Sequence, residues 1–178
     1  MKKQEKILFI VNRVFRKLYA LDIKKRGRVL IFVTAENTGV GHVFPAGPLD
    51  INEVWLEITV KNKKGDMLYH SGFIDKSGYV DKNARFFKIA ELDKNGREIK
   101  GHDILNVVNK KTVRVIPPKG KIEETYSIPI GEIRVPFLVT ARVNYRKFNQ
   151  EFTDWVFGKG KMKLPVVEMA KATKRFKL

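Results

Sequence analysis

The sequence predicts an all-β protein: an Ig-like antiparallel β-sandwich with an N-terminal amphipathic helix and a short C-terminal helix and tail. Between residues 28 and 157, apolar and polar side chains alternate with a period of two in about seven short segments, as expected of half-buried strands. Turn-forming sequences rich in Gly, Pro and Asn separate these segments. Strands do not alternate with helices, which favours antiparallel layers over a parallel sheet.

The predicted strands follow one another through short connections. Residues 62–65 (Asn-Lys-Lys-Gly) and 93–96 (Asp-Lys-Asn-Gly) have the composition of tight hairpin turns. The last strand is predicted to bury Phe137, Val139 and Val143 on one face and to expose its other face to water. The strands are expected at residues 29–36, 54–61, 67–69, 86–92, 111–116, 122–128 and 135–145.

The chain is predicted to comprise residues 1–27 as a basic amphipathic segment, 28–157 as the β-sandwich domain and 158–178 as a basic tail. Apolar residues spaced by three and four over residues 7–21 predict an N-terminal helix of about four turns. Phe148, Phe152 and Trp155 predict one short helix within residues 147–157. The tail shows no sustained period, so we expect an extended arm, or one that becomes ordered on a partner.

Positive charge is concentrated at the two ends of the chain. The 178 residues include 36 Lys and Arg against 19 Asp and Glu, a formal net charge of +17. Residues 1–28 hold ten Lys and Arg against two acidic residues, and residues 157–178 hold seven against one. The middle of the chain, with 19 against 16, has an ordinary mixed-charge composition. Any binding to a polyanion is therefore expected to use the ends.

Composition and motifs exclude or disfavour several functions. Without cysteine the chain has no disulfide, zinc–thiolate site, iron–sulfur cluster or covalently attached c-type haem of its own. No nucleotide-binding loop is present, and His42, His70 and His102 do not form a local metal or catalytic motif. We therefore expect no enzyme. The apolar run at residues 7–11 ends at Asn12 and Arg13 and is too short for export or for spanning a bilayer, so we expect neither a signal peptide nor a transmembrane segment.

Residues 37–47, Asn-Thr-Gly-Val-Gly-His-Val-Phe-Pro-Ala-Gly, form the most informative stretch of the sequence. They read as a glycine-rich excursion that leaves the first strand and positions one imidazole, that of His42. Two roles for His42 remain open: it caps the loop by bonding to backbone, or it is presented to a cofactor or partner. The residues expected to shape the loop are Asn37, Gly39, Gly41, Phe44, Pro45 and Gly47.

This loop, with several later segments, carries a resemblance to a known family. Those segments are residues 53–60 (Glu-Val-Trp-Leu-Glu-Ile-Thr-Val), 116–120 (Ile-Pro-Pro-Lys-Gly), 141–146 (Ala-Arg-Val-Asn-Tyr-Arg) and 164–167 (Leu-Pro-Val-Val). Together they resemble the C-terminal haem-free β-sandwich region of exported multihaem c-type cytochromes. In that family the loop reads Gly-His-x-x-Pro-Thr-Gly, and here Ala46 replaces the threonine.

The resemblance implies a non-catalytic accessory module of an electron-transfer system, because the Cys-x-x-Cys-His segments of the family are missing from this chain. It further implies a periplasmic or extracellular location, a haem-bearing partner and a hetero-oligomer with it. His42 would be the candidate ligand to the partner's haem, since imidazole binds haem iron well. The alternative interpretation is a cytosolic basic protein that binds nucleic acid or another polyanion.

Overall fold

Ten strands and one helix form the part of the chain that the computed structural model describes, residues 15–23, 28–129 and 136–176. A 3₁₀ turn, Ile104–Asn106, interrupts the connection between two of the strands. The elements are β1 (Phe15–Ile23), β2 (Arg28–Glu36), β3 (Glu53–Asn62), β4 (Met67–Ser71), β5 (Arg85–Phe86), β6 (Lys88–Leu92), β7 (Asn109–Arg114), β8 (Lys121–Pro129), β9 (Phe137–Arg146), α1 (Gln150–Phe157) and β10 (Val167–Phe176).

The strands form antiparallel sheets, which confirms the predicted all-β class. One sheet has three strands in the order β1-β2-β8. A larger sheet has the order β10-β9-β3-β4, with the short β5 paired to β3. Strands β6 and β7 form a separate two-stranded ribbon. None of the described helical segments is long and apolar enough to cross a bilayer.

Both main sheets contribute to one hydrophobic core. In β2, every second residue from Val29 to Ala35 is almost completely buried, as a strand with one core-facing side requires. Alternate residues of β3 and β9, such as Ile58 and Val139, join them, and Phe44 and Ile116 close the core from the connecting segments. The period-two prediction is therefore confirmed for β2, β3 and β9.

Most of the second face of β9 is also buried, so the prediction of a face exposed to water is wrong, although Arg142 on this face stays partly exposed. Thr140, Asn144 and Arg146 are each at most 8% exposed. The segment between β4 and β5 folds back over this side of the larger sheet at Arg146, whose Nη1 donates to the Gly78 carbonyl. Val80 and Ala84 of that segment pack with Trp55 and Phe86 in a second cluster. Polar residues in a strand need not face water when their hydrogen bonds are satisfied inside the protein.

The helix predicted over residues 7–21 is wrong for its second half, because residues 15–23 form β1. This strand pairs antiparallel with β2, from Phe15 opposite Ala35 to Ile23 opposite Arg28. The pairing satisfies backbone groups along the whole outer edge of β2, which a helix would leave unpaired. Residues 7–14 of that prediction lie outside the described part of the chain.

Residues 167–176, expected to be part of an extended arm, form β10 instead. The strand pairs with β9 from Val167 opposite Tyr145 to Phe176 opposite Phe137. Ala170, Ala172, Lys174 and Phe176 alternate as its buried side, and the Phe176 ring stacks on Phe137 with centroids 5.2 Å apart. Three of these four buried positions hold alanine or lysine, so the sequence shows no clear alternation of large apolar residues and does not predict the strand.

The short helix predicted within residues 147–157 is confirmed as α1. Its N-cap is Asn149, whose Oδ1 accepts a hydrogen bond of 2.8 Å from the Phe152 amide. The helix ends at Gly158, which has a φ of 94°. The Phe152 ring lies 5.2 Å from that of Phe148, which precedes the helix, and 5.7 Å from that of Trp155, between ring centroids.

Candidate functional site

The loop between β2 and β3 is held from inside by the amide of Asn37. This side chain is 2% exposed, and its Nδ2 donates to the carbonyl oxygens of His42 at 2.9 Å and Ile116 at 3.3 Å. Its Oδ1 accepts from the Val40 amide at 3.0 Å. One buried side chain thus ties both arms of the loop to the segment that precedes β8, and Asn37 acts as the cap of the loop.

A backbone bridge fixes the point where the loop returns to the core. The Phe44 amide donates to the Ile116 carbonyl at 2.8 Å, and the Ile116 amide donates to the Phe44 carbonyl at 2.7 Å. The Phe44 side chain is buried, with its ring centroid 6.2 Å from that of Phe87. The Phe44–Pro45 peptide is cis. The residues on either side of His42 are therefore anchored, at Asn37 and at Phe44.

His42 is exposed at the tip of this anchored loop. Its Nδ1 lies 2.9 Å from the carbonyl oxygen of the adjacent Val43. A carbonyl oxygen only accepts, so Nδ1 carries the proton and Nε2 carries the lone pair in the neutral ring. This is the arrangement found in metal-ligating histidines, whose second nitrogen commonly donates to a backbone carbonyl.

The glycines of the loop differ in what they contribute. Gly47 has a φ of 96°, a conformation that favours glycine. A Cβ atom at Gly39 or Gly41 would meet no described atom within 4 Å. The backbone on the N-terminal side of His42 therefore carries no side chain at Gly39 or Gly41, which leaves room there for a ligand to approach the imidazole.

The other two histidines, His70 and His102, each form a hydrogen bond with a different carboxylate. His70, on β4, places its Nε2 2.9 Å from Oε1 of Glu57 on β3. His102 places its Nδ1 2.9 Å from Oδ2 of Asp50, whose side chain is only 2% exposed. Within the described residues, no three His, Asp or Glu side chains are grouped so as to hold a metal ion.

A cleft of about 320 Å³ lies between the start of β3, residues 98–101 and α1. Its wall includes Glu53, which pairs with the buried Arg146 through an Nε to Oε2 contact of 3.1 Å. Burial raises the pKa of the Glu53 carboxyl above its ordinary value, although the Arg146 guanidinium acts in the opposite direction. Lys88 and Lys100, which line the cleft, form ion pairs with Glu98 and Glu151. Their positive charges are therefore already balanced by carboxylates.

The fold and the loop define an antiparallel β protein that presents one imidazole on a rigid turn. A similar fold occurs in the crystal structure of a penta-haem cytochrome c552 from Thermochromatium tepidum, with a TM-score of 0.70 and 16% sequence identity. The alignment covers 93% of this chain and 40% of the cytochrome chain. At this identity the likeness is one of fold. No protein-family model matches the sequence, and no curated protein matches it significantly.

The sequence interpretation missed the pairing of His102 with Asp50. The two residues are 52 positions apart and belong to different connections, so no local spacing joins them. The backbone of His102 has a φ of 62°, an uncommon value for a residue other than glycine. The only sequence signal was the Gly101-His102 pair, which is too common to indicate a site.

Proposed function

We propose that this protein is a haem-free module that binds a multihaem c-type cytochrome and presents the loop of His42 to it. In this proposal the two sheets form an Ig-like sandwich that serves only as a scaffold, and the chain is not an enzyme. It acts in the periplasm or outside the cell, where c-type cytochromes of the resembled family work. Its partner supplies the haem, because this chain has no cysteine to attach one.

The geometry of His42 is the observation that carries the proposal. An exposed imidazole with its Nδ1 proton held by a backbone carbonyl has Nε2 ready to bind an iron atom. The anchoring of the loop through Asn37 and Phe44 lowers the entropy lost when the imidazole is fixed in a complex. The fold likeness to a penta-haem cytochrome adds support, since that protein carries haem alongside a similar β region.

Replacing His42 with alanine is expected to change the absorption spectrum of the partner's haem without unfolding this chain. The side chain is exposed and bonds only to its own neighbour, so its loss removes little from the fold. The test captures haem-stained polypeptides from extracts of the native cell with the tagged full chain, then compares the Soret band of the complex for both versions.

Val43→Ala is the matched control, because Val43 is the next residue, is 37% exposed and lacks an imidazole. This variant should leave the Soret band unchanged. An unchanged band with His42→Ala would refute the role of His42 as a ligand. Failure of the wild-type chain to retain any haem-bearing polypeptide would refute the docking function itself.

A second candidate function is the binding of a polyanion. It is favoured by a basic surface at the end of the larger sheet that lies away from the His42 loop. A hollow of about 200 Å³ there is lined by Lys61, Lys63, Lys64 and Arg175, and no carboxylate is among its described lining residues. Lys61 and Arg175 lie on either side of Leu138 in one cross-strand row. Because β3 has ten residues, this end lies about 30 Å from the start of β3, near the His42 loop.

Single-stranded oligonucleotide binding tests this candidate. Replacing both Lys63 and Lys64 with serine should reduce the slope of log K against log salt concentration by about 1.4, at about 0.7 per phosphate contact. Both residues are exposed in a turn, so the fold should be unaffected. Lys94→Ser, in the exposed turn that follows β6, is the control and should not change the slope. An equal slope in all three proteins would contradict the assignment.

A further inference from the structure

His102 is held in a fixed orientation by a buried carboxylate. Its Nδ1 lies 3.1 Å and 2.9 Å from the two oxygens of Asp50. The Asp50 side chain is 2% exposed, whereas the imidazole is 41% exposed. Because the carboxylate accepts, Nδ1 carries the proton, and the lone pair of the neutral ring is on Nε2. Hydrogen bonding to a carboxylate also makes the second nitrogen a stronger electron donor to a metal.

An apolar tip follows His102 directly in the chain. It consists of Ile104, Leu105 and Val108, which are 57%, 93% and 65% exposed. The 3₁₀ turn at Ile104–Asn106 is fixed locally, with the Ile104 amide donating to the His102 carbonyl at 2.9 Å. Large apolar side chains grouped at such exposure commonly mark a binding surface. The tip is thus an exposed apolar surface that begins two residues after an oriented imidazole in the chain.

A single imidazole restricts which metal can bind here. A zinc ion needs three or four protein ligands, and no such group exists among the described residues. Haem iron is different, because the porphyrin occupies its equatorial positions and one axial nitrogen suffices to complete it. The broad apolar face of a porphyrin also matches the exposed tip, and the exposed Lys111, three residues after Val108 in the chain, is a cation that would suit a propionate.

From this combination we infer that His102 and the apolar tip form a haem-binding site, with Nε2 of His102 as axial ligand to an iron that has an open axial position. The inference rests on the proposed function in one respect only: the partner cytochrome supplies the haem. Asp50 is a positioning residue in this site. Since His42 bonds to a neutral carbonyl and His102 to a carboxylate, a haem bound at His102 has the lower reduction potential.

The test uses a c-type haem peptide whose sixth axial position is open, added to the full chain carrying His42→Ala. A saturable Soret shift is expected in this background. Adding His102→Ala should abolish the shift, whereas adding His70→Ala should leave it unchanged. Leu105→Ser should weaken binding several-fold, and because Leu105 is 93% exposed this variant should remain folded.

Asp50→Asn supplies a readout that a merely structural role would not move. The asparagine oxygen still accepts the Nδ1 proton, so binding should persist with about tenfold lower affinity and a higher midpoint potential of the bound haem. Circular dichroism confirms that each variant is folded. An unchanged potential in this variant, with folding intact, would overturn the role of Asp50.

Three outcomes would overturn the site: no Soret shift, a shift that survives His102→Ala, or equal affinity with Leu105→Ser. If the chain does not bind the haem peptide, two other results would assign the tip. Sedimentation with anionic vesicles that depends on Leu105 would assign it to a membrane surface, and dimer formation that depends on Leu105 would assign it to a second copy of the chain. The haem peptide needs no partner protein. Failure to capture a cytochrome therefore refutes the proposed function, whereas failure of this titration refutes the site.

Discussion

Replacing Gly72 with alanine is expected to lower the free energy of unfolding by about 3 kcal/mol, from the combined costs of a left-handed backbone and of overpacking. Gly72 has a φ of 79°, and an added Cβ would lie 2.6 Å from the Leu56 carbonyl oxygen and 2.9 Å from the Glu57 Cα. These are backbone atoms of the central strand β3, which cannot rotate away. The Gly72 carbonyl also accepts the indole proton of the buried Trp55 at 2.9 Å.

Gly96→Ala is the matched control for the conformational part of this cost. Gly96 has a φ of 73°, and an added Cβ would meet no described atom within 4 Å. This variant should lose about 1 kcal/mol, the cost of a left-handed residue alone. Urea unfolding, followed by tryptophan fluorescence, measures both. Equal losses for the two variants would contradict the proposed collision with β3.

Replacing Arg146 with methionine should cost about 3 to 5 kcal/mol at neutral pH, the usual effect of removing one partner of a buried ion pair. Arg146 is 1% exposed and bonds to Glu53, and its Nη1 donates to the Gly78 carbonyl at 2.8 Å. Methionine fills much of the same space, so the loss reports on the charge of Glu53 and the three lost hydrogen bonds. Thermal or urea unfolding of both chains gives the difference.

The destabilisation by Arg146→Met should shrink at acid pH. Burial already raises the pKa of Glu53, so in the native chain its contribution to stability is present below its ordinary pKa and is lost as the pH rises through the folded pKa. The Arg146 guanidinium is the largest factor that lowers the pKa of Glu53, so its removal raises that pKa further. Glu53 then binds a proton at higher pH, and below that pH no buried charge remains to destabilise the fold.

Two further variants distinguish the ion pair from general disturbance of β9. Arg142 lies on the same strand, but it pairs at 3.0 Å with Glu168, whose side chain is 45% exposed, and its contact with Glu57 is long, at 3.8 Å. Glu57 keeps its hydrogen bonds to His70 and Asn144, so Arg142→Met should cost less than about 1 kcal/mol. Adding Glu53→Gln to Arg146→Met should recover much of the loss at neutral pH. A loss that is independent of pH and is not recovered in the double variant would contradict an uncompensated Glu53 as its cause.

The central strands could be predicted from the sequence because each combines a period of two with a clear turn. β2 and β3 have β-branched or large apolar residues at every alternate core position except Ala35, and the turn after β3 ends on a glycine with positive φ. In β10 the core positions hold Ala170, Ala172 and Lys174, so hydrophobicity alone does not reveal the strand. β1 has apolar residues that also fit a helical spacing, and only its pairing with β2 decides between the two.

The candidate site was predictable only in part. The sequence indicates a glycine-rich loop that positions His42, but it does not reveal that Asn37, rather than the imidazole, binds the two arms of that loop together. The same limit applies to His102 and Asp50, because a contact across 52 residues depends on the tertiary fold. Arg146 shows the converse error: its charge suggests solvent, whereas its partners Glu53 and Gly78 are supplied by distant segments.

The order of strands in the larger sheet determines how late in synthesis this sheet can be completed. β3 pairs with β9, so Glu53 meets Arg146 across more than half of the chain, and β10 then pairs with β9. No hairpin formed early in synthesis contains these contacts, and closing such long loops slows folding. The outer edge of β9 stays without a neighbour until Phe176 has been made. During translation the nascent chain therefore exposes a hydrogen-bonding edge that a chaperone, or another nascent chain, can recognise.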